Sequence, residues 1–211
     1  MILDSDDIER QESRYRGLFI NSLSGFKSAN LIGSCDKQNN TNLAIFSSVF
    51  HIGAHPPLLG LIVRPHSVSR HTLENIQETG YYTINHVNKS IYQQAHQTSA
   101  RYDKTTSEFE ATELTQQYLQ QFPAPFVEQS RIQLGMQFRE QHHLSINATE
   151  LIIGEIVLIN IKDDVVSENG YVDIEKAGSL SVSSLNSYHL TELLSPMRYA
   201  RPGGKAETEQ P

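Results

Sequence analysis

The chain has 211 residues, 38% of them hydrophobic and 19% charged, with a formal net charge of -7. That length supports one sizeable domain with a true core, and the composition is that of an ordinary globular protein. The acidic balance argues against a general nucleic-acid or anionic-membrane surface; no window approaches the roughly 18 apolar residues of a membrane span, and the acidic, polar start of the chain lacks the pattern of a secretory signal.

In chain order, Ser5-Asp6-Asp7-Ile8-Glu9 reads as a helix start, with Ser5 as its cap and the acids favouring the positive end of the first turn. Gly25 closes that element. Ala29–Asp36 has strand character. The one cysteine, Cys35, falls in it and has no partner for an internal disulfide, which points to a reducing compartment and a cytoplasmic protein. Asp36–Asn40 is a tight turn, and Thr41–Gly53 is expected to return as a single hairpin partner. Pro56 and Pro57 bar helix and stiffen the entry to Leu58–Arg64, an apolar run expected to be buried on both faces. Pro65 stops it. A loop then leads to a short helix with Thr72 as N-cap and Gly80 as terminator.

Tyr81–Asn88 alternates as a strand, Ser90 onward is helical, and a further helix is predicted over Thr112–Gln121. Phe122–Phe126 reads as a proline-bracketed linker. Two long strands follow, and the residues from 203 to 211, without an apolar anchor, read as a mobile tail. Strands with helices inserted irregularly favour a mainly β, mostly antiparallel barrel with peripheral α-helices over a doubly wound parallel sheet.

Three stretches carry candidate chemistry. Arg64, Ser69, Arg70, His71 and Thr72 crowd the approach to a helix, where exposed backbone N–H groups and a partial positive charge suit a phosphate; the bland alternative is a capped helix with solvated arginines. Asn42, Ser47 and Ser48 interrupt an apolar strand, either to meet a ligand or to face solvent. Tyr188 and His189, near the C-terminus, could stack on a planar ligand or pack across a barrel mouth. His51 and His55 lack a third metal ligand of suitable spacing, no nucleophile elbow is present, and the carboxylate pair Glu108 and Glu110 reads as solvated charge.

Taken together, Thr41–Val49, the Pro56-Pro57 entry to a buried strand, and Thr72 opening a helix that contains Asn75-Ile76 resemble the flavin reductase-like family. The likeness runs from about Tyr15 to Pro202. It implies a single domain over 1–202, an FMN-binding split barrel of antiparallel, Greek-key type, and no protein nucleophile. By that resemblance Arg64, Ser69, Arg70, His71 and Thr72 would hold the FMN phosphate, and Asn42, Ala44, Ile45, Ser47 and Ser48 would meet the pyrimidine edge of the ring. It further implies NAD(P)H as a transient hydride donor, a homodimer in which Tyr188 and His189 serve the neighbouring subunit's flavin, and an oxygenase or other acceptor downstream. A non-enzymatic FMN electron carrier on the same scaffold is the alternative. The family commonly has Lys-Asp before the helix-opening Thr; here Arg70-His71 stand there and make the pocket more cationic.

Overall fold

The computed structural model describes residues 1–208. Helix α1 (Ser5–Glu9) is capped one residue earlier than expected. Asp4 rather than Ser5 accepts the Asp7 N–H at 2.8 Å, and the Asp7 carboxylate returns the bond to the Asp4 N–H. A carboxylate three residues before a second acid closes a reciprocal box that the short Ser5 hydroxyl, already inside the turn, cannot make. Helix α2 (Ser13–Leu23) starts at Glu12, whose carboxylate accepts from the Arg14 and Tyr15 N–H groups. Neither helix buries a residue. Among the described residues no helix is long and apolar enough to cross a membrane.

After the short strand β1 (Lys27–Ser28), strand β2 (Asn30–Cys35) is buried along its whole length. Asp36 closes the turn by accepting from the Gln38 and Asn40 N–H groups at 2.9 Å each. Strand β3 (Thr41–Phe46) pairs back onto β2 as expected. The predicted single run to Gly53, however, breaks. Ser47–Val49 carry the chain to a separate strand, β4 (Phe50–Ala54), which hairpins through His55 and Pro56 into β5 (Pro57–Val63). The chain continues into helix α3 (His71–Thr79), ended by Gly80 at φ 76°, and strand β6 (Tyr81–His86).

Helix α4 (Tyr92–Gln97) follows. The helix predicted over Thr112–Gln121 does not form. A four-residue helix α5 (Glu108–Ala111) precedes it, Glu113, Gln120 and Gln121 all have positive φ, and Gln116–Gln117 form strand β7. Good helix-forming residue types are overridden here by tertiary pairing, because β7 is held by β8 (Phe126–Val127). The expected linker is interior: Phe122, Ala124 and Phe126 are buried, and the Pro125 carbonyl accepts from Thr83 Oγ1 at 2.6 Å. Strands β9 (Ile132–Leu144) and β10 (Thr149–Ile161) make a long hairpin, and β11 (Ser181–Ser183) and β12 (Ser187–His189) join β1 in a small sheet. In the stretch read as a tail, Arg198 pairs with Glu207 at 3.1 Å and Met197 bridges Thr208; residues 209–211 lie outside the described residues.

The large sheet has seven strands in the order β3-β2-β6-β9-β10-β5-β4, every neighbouring pair antiparallel. Its two edges, β3 and β4, are joined by only Ser47–Val49. Laid flat, seven strands would put the edges about 29 Å apart, but the connection reaches at most about 14 Å. The sheet therefore curls on itself. Ser48 extends the β4–β5 ladder into this connection: its Oγ donates to the Ile62 carbonyl at 2.9 Å and accepts the Ile62 N–H at 3.2 Å. One core cluster, with Ile32, Leu61, Leu73, Ile76, Tyr82, Met136 and Ile152, fills one side of the sheet. A second, with Leu31, Leu43, Val87, Phe109 and Val127, fills the other. Leu31 and Ile32 thus go to opposite clusters, so β2 is buried on both faces.

Candidate functional site

The cationic stretch lies where β5 gives way to α3. Arg64 follows the last residue of β5 and is exposed. Arg70 folds back, its Nε and Nη2 donating to the Pro65 carbonyl at 3.2 and 3.1 Å, so its guanidinium cinches the loop. Glu74 braces the same loop, accepting the Arg70 N–H at 3.0 Å and holding His66 Nε2 at 3.0 Å. Burial alone would raise the Glu74 pKa, but these two partners outweigh it and hold the carboxyl below its ordinary value. Partial burial, then the like charges of Arg64 and Arg101, lower the pKa of Arg70. Arg101 thus belongs to the same positive patch.

Thr72 is not the N-cap. Arg70 occupies that position with no side-chain cap bond, and Thr72 lies inside the first turn, buried. Its Oγ1 accepts from Asn42 Nδ2 at 2.9 Å. Asn75 Nδ2 donates to Ser34 Oγ at 3.2 Å, and Asn75 Oδ1 has no partner although it is buried. This chain of polar side chains ties α3 to the β2–β3 hairpin. It leaves the first N–H groups of α3 without a side-chain acceptor, in the field of the helix dipole and beside Arg64 and Arg70. An anion fits that arrangement.

The second half of the site is the outer edge of β3. In an antiparallel ladder successive residues turn their N–H and C=O groups alternately toward and away from the neighbour. Asp36 N bonds to Asn40 O at the turn, which sets the phase. Leu43 N–H therefore points away from β2, and it is met there by Glu108 Oε2 at 2.9 Å. Thr41 Oγ1, on the same strand, meets Ser107 Oγ at 2.7 Å. Helix α5 and Ser107 thus cover the first half of the edge. Ile45 N–H, in the same phase as Leu43, faces outward beyond that cover, and Ala44, Ile45, Ser47 and Ser48 are half-buried. A planar ligand with acceptor atoms along one side fits this outward edge.

The expected residues thus divide. Arg64, Ser69, Arg70, His71 and Thr72 are brought together by the β5–α3 junction. Asn42 joins them from β3, but its amide is bonded to Thr72. Ala44 and Ile45 lie further along β3, and Ser48 is engaged with Ile62. Tyr188 packs at 5.7 Å on Tyr92 and bonds His96 Nδ1 at 3.0 Å; burial pushes its phenol up to about 12. His189 bonds Ser183 Oγ at 2.8 Å and packs at a tilt of 55° against Phe26, ring centroids 4.8 Å apart.

Sequence reasoning passed over three groups. Arg101 and Lys104 come from the loop after α4; Lys104 shares a polar pocket with Asp36, Asn42, His71 and Asn75. Glu108, read as a solvated charge, is 6% exposed. Its burial comes from a contact with Leu43, 65 residues away in sequence, which no local pattern announces.

A sequence profile described as the flavin reductase like domain matches residues 23–180. A solved structure from Shewanella frigidimarina, provisionally assigned as a flavin reductase with a split barrel domain, is 54% identical, covers 95% of this chain and 100% of its own, and superposes with a TM-score of 0.92. Nitrilotriacetate monooxygenase component B from Bacillus cereus is 19% identical, covering 93% of this chain and 98% of its own at a TM-score of 0.82. Flavoredoxin of Desulfovibrio vulgaris is also 19% identical, covering 86% of this chain and 94% of its own at a TM-score of 0.71. These last two likenesses are of fold alone. With the curled antiparallel sheet, the profile match over most of its length and the close structural relative agreeing, this chain belongs to the flavin reductase-like family.

Proposed function

We propose that this protein binds FMN and transfers a hydride from NAD(P)H to it, as a flavin reductase-like oxidoreductase. The observation that carries this reading is the juxtaposition of two half-sites on one rim: an α3 N-terminus with no side-chain cap beside Arg64 and Arg70, and the outward-facing backbone of β3 at Ile45. The first suits a phosphate, the second the polar side of a flavin ring. Arg64 supplies a mobile positive charge, and Arg70 shapes the loop through Pro65. The N–H groups of His71 and Thr72 face the phosphate, with the Ser69 hydroxyl beside them. Ile45 N–H and the hydroxyl of Ser47 hold the pyrimidine side.

A flavin held here would supply the redox chemistry, as acceptor of the hydride from the nicotinamide. The protein orients the ring and stabilises charge that develops on its polar edge through fixed N–H donors. No side chain in the site is needed as nucleophile. The unpaired Cys35 supports a cytoplasmic setting. Exposed apolar side chains at Leu190, Leu194 and Tyr199 support a homodimer of the single domain over 1–202, in which Tyr188 and His189 reach toward the second subunit's flavin. The reduced flavin would pass to an oxygenase or another acceptor.

Anaerobic mixing of the protein with FMN and NADH or NADPH tests this reading. The expected result is loss of the oxidised flavin absorbance much faster than for free FMN with the same donor. Tight FMN binding with no acceleration would instead support an electron carrier, and no FMN binding would overturn both.

A further inference from the structure

Two carboxylates are buried among the described residues, Asp36 and Glu108. Asp36 is saturated by its own turn, accepting from Gln38 and from both the backbone and the side chain of Asn40. Glu108 meets its own backbone N–H but is not confined to its own turn. It reaches across to an edge strand and takes the Leu43 N–H, the place a further strand would occupy. The next outward N–H on that edge is Ile45, two residues and about 7 Å further along. A ligand that uses the β3 edge is therefore denied Leu43 and begins at Ile45, about 7 Å along the edge from the N–H that the carboxylate holds.

His71 from α3 is the basic group that acts electrostatically on Glu108. Lys104 and Asp36, which share the polar pocket with His71, carry opposite charges. Burial pushes the Glu108 pKa up, opposed by the Leu43 N–H, by the residue's own backbone N–H and by His71.

We propose that Glu108 is a positioning residue: it sets where the pyrimidine side of the flavin lies on β3, and its negative charge opposes the charge that builds on the ring during reduction. The inference rests on the FMN-binding reading. Hydride transfer moves two electrons and one proton from NAD(P)H to the ring; the donor leaves as NAD(P)⁺ and the ring keeps one negative charge. A carboxylate on the same strand edge disfavours that charge, and a neutral amide in its place does not. Glu108 thus keeps the bound flavin a stronger reductant than the N–H donors alone would make it.

The experiment compares the full-length protein with Glu108→Gln, which keeps an acceptor for Leu43 N–H and removes the charge. The FMN midpoint potential is measured spectroelectrochemically, alongside the affinity for oxidised FMN. E108Q is expected to raise the ratio of reduced to oxidised FMN affinity by about tenfold, about 30 mV for a two-electron couple. Affinity for oxidised FMN should change by less than about threefold, since an acceptor for the Leu43 N–H is retained. An E108Q protein that binds FMN at the wild-type potential would overturn the role of Glu108 while leaving the FMN reading intact. A wild-type protein that binds no FMN would overturn the FMN reading itself. If E108Q does not fold, the wild-type protein decides: with glutamate labelled by carbon-13, its redox difference infrared spectrum should show a shifted side-chain carboxylate band, and a flat carboxylate region would reject the proposal.

Discussion

Asn42 on β3 donates its amide N–H to the hydroxyl of Thr72 in the first turn of α3, at 2.9 Å, with both side chains buried. The contact joins residues 30 apart in the chain and fixes the α3 N-terminus against β3, whose outer edge is the other half of the candidate site.

Removing one partner of that bond should destabilise the protein. Asn42→Ala leaves a buried hydroxyl without its donor, at a cost of about 1–3 kcal/mol. The double variant with Thr72→Val should lose less than the sum of the single losses, because both groups then become apolar together. Urea denaturation of the four proteins of the cycle measures this. Strict additivity would mean that the bond contributes nothing in solution.

Two glycines should respond to alanine in opposite directions. A Cβ on Gly33 would stand 2.2 Å from the Pro125 carbonyl oxygen and 2.5 Å from Thr83 Oγ1. Those atoms are already bonded to each other, so neither can withdraw freely. Gly33→Ala should cost about 3 kcal/mol or more, at or beyond the upper end of the overpacking range. Gly17 lies within α2 and a Cβ there meets nothing within 4 Å. Gly17→Ala should stabilise by about 0.5–1 kcal/mol. Melting temperatures that move the same way for both would contradict this packing.

Stability should fall on mild acidification through His86. Burial pushes its pKa down to about 4, and its Nδ1 is within 2.9 Å of Ser179 Oγ. An unfolded chain with a histidine near its ordinary value of about 6.5 binds more protons than the native state below that pH. The contribution of neutral His86 is therefore complete above about pH 6.5 and is lost as pH falls toward 4, by up to roughly 3 kcal/mol in total. In urea titrations at pH 7 and pH 5, His86→Gln should narrow the stability gap between the two. An unchanged gap would assign the pH dependence to other groups.

Arg64→Ala should weaken FMN binding by about 1–3 kcal/mol, as for a lost charged hydrogen bond, with little effect on folding because the side chain is exposed. Fluorescence quenching of FMN at two salt concentrations checks this. Wild-type affinity in the variant would place the phosphate away from the β5–α3 junction.

Much of the architecture was written locally. The strands at Asn30–Cys35 and Pro57–Val63, the Asp36–Asn40 turn and the Gly80 stop each follow from short-range rules of strand pattern, turn chemistry and positive φ, and each appears where those rules put it. The cationic approach to α3 was equally visible, since Arg64, Ser69, Arg70, His71 and Thr72 are neighbours in the chain. The tertiary structure alone decided the rest. The break at Ser47–Val49 exists because a curled sheet needs its edges joined, and Ser48 meets Ile62 only once β4 has paired with β5. Thr72 became a partner of Asn42 instead of a cap, Phe122–Phe126 became core instead of linker, and Glu108 became a buried edge partner instead of a surface charge. Each of these outcomes depends on groups 14 to 65 residues apart that meet only after folding. Local composition carries no term for such contacts, whereas the desolvation of a hydroxyl or a carboxylate is governed entirely by them.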